Sequence, residues 1–151
     1  METWRFKDYR LSVKLAKEKF QLKDDAVLTI ASLLSILLIT FHLSDEIARG
    51  MEPGGLNMVI PVIILAVWLY GTLVLTGRRS GHIIMLIVAI FGTGIPILHM
   101  SGVGLVGGRI AVDSGGAFFW VLQNMVLCVI SLFSIVLALR LLWNPEWGKS
   151  E

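Results

Sequence analysis

Four long apolar blocks, separated by glycine, proline or charge, constrain this chain more than any other feature of its sequence. They run from about Ala26 to Ser44, Asn57 to Thr76, His82 to Met100 and Ala117 to Leu139. A helix needs about 20 apolar residues to cross a hydrocarbon core about 30 Å thick, because it rises about 1.5 Å per residue. Within lipid it must also satisfy its own backbone hydrogen bonds, which a helix does and an isolated strand does not. The blocks therefore predict an all-α fold: an integral membrane four-helix bundle. The connectors are Arg49-Gly50 to Pro53-Gly54-Gly55, Gly77-Arg78-Arg79-Ser80-Gly81, and the glycine-rich stretch Gly102 to Gly116. None has the length of a further domain. Apolar residues make up 56% of the 151, above the roughly 45–50% of soluble domains.

Charge sets the expected orientation. Lys and Arg accumulate in cytoplasmic segments beside membrane spans. Arg5, Lys7, Arg10, Lys14, Lys17, Lys19 and Lys23 precede the first block, Arg78 and Arg79 follow the second, and Arg140 and Lys149 close the fourth. The first connector instead carries Asp45, Glu46 and Glu52 against Arg49 alone. Both ends are thus expected inside (N-in, C-in). Trp120, Trp143 and Trp147 fall where interfacial aromatic belts occur. The formal charge of +2 is small and its basic residues are dispersed, so no nucleic-acid partner is expected. A single cysteine, Cys128, excludes an intrachain disulfide or a CxxC redox pair, and reads as a small buried hydrophobe.

The chain divides into a cytoplasmic segment 1–25, a transmembrane domain 26–143 and a cytoplasmic tail 144–151. In the first, Phe6, Tyr9, Val13, Ala16 and Phe20 recur at spacings of three and four beside Lys7, Arg10, Lys14 and Lys17, the pattern of an amphipathic helix. It is expected to lie on the anionic inner leaflet. A first span preceded by a charged segment of 25 residues, rather than a short leader, does not read as a cleaved signal peptide. The expected setting is multi-pass in a cell membrane, bacterial and cytoplasmic by its short loops. The expected partners are the lipid bilayer, and a second copy or another membrane protein.

Ionisable residues in a span are costly and face the bundle interior or a wet cavity. His42, Asp45, Glu46 and Arg49 stand at i, i+3, i+4 and i+7, on one face at the outer end of the first span. Counted from the inner edges, His42 and His99 reach the same height, about 24–26 Å. Gln123 and Asn124 lie about 10 Å below the outer edge of the fourth span. Pro96, with Gly92 and Gly94, predicts a kink before His99. Together these describe a polar pocket in the outer half of the bundle, binding a small ligand or protein partner.

Several chemistries fit that pocket. His42, Glu46 and His99 could ligate zinc, since imidazole and carboxylate both suit it. The two histidines could ligate a haem as opposed axial ligands on parallel helices. The acidic residues could serve a small cation- or proton-coupled transporter. The non-chemical alternative is a salt-bridged cap of His42, Asp45, Glu46, Arg49 and His99, joined by Arg109 and Asp113. His82, beside Arg79, is expected at the inner mouth and solvated. Gly102, Gly104 and Gly107 spell GxGxxG, but the setting lacks the βαβ unit of a dinucleotide site.

Overall fold

The computed structural model describes residues 2–50, 55–100 and 117–143, with side chains from 9, 55 and 118 onward in each stretch and up to 99 in the second. The loop from Gly102 to Gly116, with Arg109 and Asp113, lies outside the described residues, as does the tail 144–151. Among the described residues there are four helices: α1 Glu2–Ala48, α2 Val59–Leu73 led in by a 3-10 turn at Gly55–Met58, α3 Arg79–Met100 and α4 Ala117–Leu142. Among the described residues there is no strand. All four, counting the turn with α2, are long and apolar enough to cross a membrane.

The outward faces explain where these helices are stable. Ile30, Ile60, Phe91 and Val129 are all exposed, one on each helix. In water, apolar faces of this extent would be an aggregation liability, whereas in lipid they are solvated. Buried polar residues line the inside instead, among them Ser32, Ser35, Thr72, Ser131 and Ser134. The helices are therefore apolar outside, while their interior mixes apolar packing with buried polar groups.

α1 departs from expectation. No proline or glycine occurs between residues 2 and 49, and those are the usual sites of sharp kinks. The amino-terminal segment and the first span accordingly form one helix of 47 residues, about 70 Å long. A separate helix lying across the end of the bundle would need a hinge, and the described backbone has none. α2 is shorter than its block, ending at Leu73. The chain then turns through Gly77 at φ +71°, a conformation disfavoured by a Cβ. α3 runs through Pro96 to Met100.

The helices form an up-down-up-down ring in which α4 packs most closely on α3 and then on α1, α2 packs on α3 and α1, and α1 and α3 are diagonal. α3 and α4 approach closely because both are small at the crossing: a Cβ on Gly92 would stand 2.6 Å from Ser131 Oγ. Leu28, Met85, Leu137, Ala138 and Leu141 fill the core at one end, and Ile39, Trp68, Val88, Ile95 and Leu127 fill the other. α2 is fastened by polar contacts in the span: Trp68 Nε1 donates to Ser32 Oγ at 2.7 Å, and Ser32 and Thr72 hydroxyls stand 2.7 Å apart.

Two cross-links between the diagonal helices fix their register. His82 Nε2 meets Asp25 Oδ1 at 2.6 Å and His42 Nε2 meets His99 Nε2 at 3.0 Å, and in both the partners are 57 residues apart. Equal offsets require parallel helices, as the heights of His42 and His99 imply. His82 corrects its expected solvation: it is 1% exposed, covered by the bundle and bound to Asp25. Beside it, Asp24 and Arg140 pair at 3.4 Å and the Arg140 guanidinium lies 4.4 Å from the Phe20 ring centre. The base of the amino-terminal extension is thereby clamped to α3 and α4.

Candidate metal centre

The site is built by three helices at the opposite end from that clamp. α1 supplies His42 and Glu46, one turn apart on its inward face. α3 supplies His99, one residue short of its end, and α4 supplies Trp120 from its first turn. The three ligand-type residues are 1%, 0% and 5% exposed. Such burial of a carboxylate is costly unless it is paired or coordinates a cation.

Their atoms converge. His42 Nε2 is 3.0 Å from His99 Nε2, Glu46 Oε1 is 3.2 Å from the first and 3.5 Å from the second. Trp120 Nε1 donates to the same oxygen at 3.3 Å. The indole also covers both imidazoles, with ring centres 5.6 Å from His42 and 5.2 Å from His99. Glu46 Oε2 and His42 Nδ1 meet no protein partner among the described residues.

A hydrogen-bond account of this triangle is strained by counting. One proton satisfies one edge, yet three acceptor-capable atoms face a common point. A cation at that point would satisfy all three. For tetrahedral zinc, with bonds near 2.0–2.2 Å, neighbouring ligand atoms stand about 3.3–3.6 Å apart. The observed 3.0, 3.2 and 3.5 Å fall within about 0.3 Å of the edges of one triangular face of that tetrahedron. His42, Glu46 and His99 thus lie close enough to hold a metal ion, and a compact one. A haem is a poorer fit: opposed axial nitrogens stand about 4 Å apart across the iron, with a macrocycle between them. Here the rings touch in an edge-on pair, centres 5.0 Å apart.

The other expected pocket residues are sorted by the fold. Asp45 and Arg49 pair with each other at 2.8 Å and are partly exposed, so they sit at the rim rather than in the centre. Gln123 Nε2 donates to the Leu38 carbonyl at 2.7 Å, joining α4 to α1 below the site. Asn124 is buried, its amide bound to the Trp120 carbonyl at 3.1 Å. Trp120, which the sequence places in the interfacial belt, also touches all three residues of the centre. Its position four residues before Asn124, on the same face, is the signal that would have found it.

Comparison with protein-family models, with curated proteins and with solved structures gives no match. The reading of the site therefore rests on its own geometry.

Proposed function

We propose that this chain is a multi-pass membrane protein, N-in and C-in, that holds a divalent transition-metal ion in the outer half of its bundle. The ligands are His42 Nε2, Glu46 Oε1 and His99 Nε2, and zinc suits this donor set best. The observation that carries the reading is the triangle of 3.0, 3.2 and 3.5 Å between three buried donor atoms. Trp120 acts as the outer partner of the carboxylate, orienting it as hydrogen-bonded neighbours of metal ligands do. Two histidines and one carboxylate leave a fourth position open, the pattern of zinc sites that bind water or substrate rather than sites that only brace a fold. When bound, such an ion would acidify a coordinated water or polarise a carbonyl oxygen.

The test is metal analysis of protein purified in detergent with a tag that contains no histidine. About one equivalent of zinc is expected after dialysis against a trace of the ion. Glu46→Gln, His42→Ala and His99→Ala should each lower the retained metal at least tenfold, while Asp45→Asn at the rim should leave it unchanged. Wild-type protein that retains less than a tenth of an equivalent of zinc, iron, manganese or copper would sink the proposal.

A further inference from the structure

The outer halves of α2 and α3 enclose a cavity of about 570 Å³ with an almost wholly apolar lining. Its floor is the buried layer of Ile39, Val88, Ile95 and Leu127, and Trp68 belongs to its wall. Ile63 and Phe91 also line it and are more than half exposed, so the cavity opens to the side, where the medium is hydrocarbon. A missing side chain contributes to the space: Gly94 lies on the lining, and a Cβ built there meets nothing within 4 Å.

The cavity is closed near the middle of the membrane. Below it α2 meets α3, where a Cβ on Gly71 would stand 2.6 Å from Ile84 Cγ2, and meets α1 through Trp68 and Thr72 at Ser32. Ser32 stands about 15 Å below His42 at helical rise. In the other direction the lining ends at Leu43 and Leu98, the chain neighbours of His42 and His99. Ile39 and Ile95 lie one turn below the same histidines. The cavity thus runs from the level of the candidate metal centre halfway through a hydrocarbon core about 30 Å thick, the depth of one leaflet. A surface that merely met bulk lipid would continue along the helices. This cleft is instead blind below, one leaflet deep, and ends beside three buried donor atoms.

We infer that the ligand of the metal centre is an amphiphile of the outer leaflet with one long hydrocarbon chain. The chain fills the cleft between α2 and α3, and an oxygen of the head group takes the open position of the ion. Oxygen donors suit zinc, and a lipid entering from the side carries its head group at the level where the histidines stand. The head-group half of this inference rests on the metal reading, whereas the chain half rests on the cavity.

Tryptophan quenching tests the chain. With Trp4→Phe, Trp143→Phe and Trp147→Phe in place, Trp68 beside the cleft and Trp120 at the centre remain. A fatty acid brominated near its methyl end should quench their emission saturably, at about one equivalent of protein in detergent. Gly94→Leu puts a side chain into open space and has the better helix propensity. It should weaken that binding at least tenfold with zinc content unchanged, while Val129→Leu on the exposed face of α4 should leave it as it was. With cobalt in place of zinc, the same acid should shift the visible bands of the ion, and acetate at equal concentration should not. Quenching that fails to saturate, or that Gly94→Leu leaves intact, overturns the chain site even if zinc is bound. Saturable quenching with unmoved cobalt bands overturns the head-group half alone. Protein that holds no metal yet binds the acid, and loses it in Gly94→Leu, keeps the chain site and overturns the metal reading.

Discussion

At the residue scale, the informative groups are the ionisable side chains that the bundle covers. His82 and Asp25 illustrate the energetics: a charge-assisted hydrogen bond of 2.6 Å between groups 1% and 12% exposed. Removing one partner leaves the other buried and unpaired, which costs more than the bond itself contributes. His82→Ala should therefore destabilise the protein by about 2–3 kcal/mol, measured by thermal unfolding in detergent. Restoring a donor with His82→Gln should recover part of that loss. A result for His82→Ala no different from an exposed control such as Lys14→Ala would remove the pair from the structural account. At His42 and His99 the same substitution has a second consequence, since each also takes away a donor atom of the proposed metal site.

At the scale of the helices, what the sequence made legible was the count of elements, their character and the level at which two histidines meet. Those follow from length and rise alone. The unbroken α1 was hidden because a change from charged to apolar composition at residue 25 looks like a boundary, although no breaker stands there. Asp25 and His82 were missed for a related reason: each falls at the edge of an apolar block, where a charged group is read as the start of solvent. The same counting that levels His42 with His99 levels Asp25 with His82, seventeen residues below. The contact of Trp120 with the centre was not legible because depth along a helix is visible in sequence but rotation about its axis is only partly so. Packing between particular helices was not legible, since it depends on which small residues coincide. Gly92 against Ser131 is such a coincidence, and it gives a test. Gly92→Leu should push α3 from α4 and lower stability by about 1–3 kcal/mol, seen as a fall in the unfolding midpoint, although leucine has the better helix propensity. Ser131→Ala alone should be mild, and Gly92→Leu without loss would show that the two helices do not meet closely.

At the scale of the whole molecule, orientation and metal site stand or fall separately. Cysteines placed at Gly54 and Ser80 in the Cys128→Ser background should be labelled from opposite sides of sealed vesicles, Ser80→Cys from the side that holds the amino terminus. Labelling of both from one side would refute the topology while leaving the triangle of His42, Glu46 and His99 intact. The two diagonal cross-links have a further mechanical meaning. They are separated by the same number of residues on α1 as on α3, so neither helix can slide past the other by one position without unseating both at once. Asp25 would then face Gly81 or Ile83 in place of His82, and His42 would face Leu98 or Met100 in place of His99. No intermediate setting keeps one end fastened while the other gives way. The pair behaves as a ruler with two matching notches, so any slip of α1 along α3 by one residue is resisted at both ends of the bundle together.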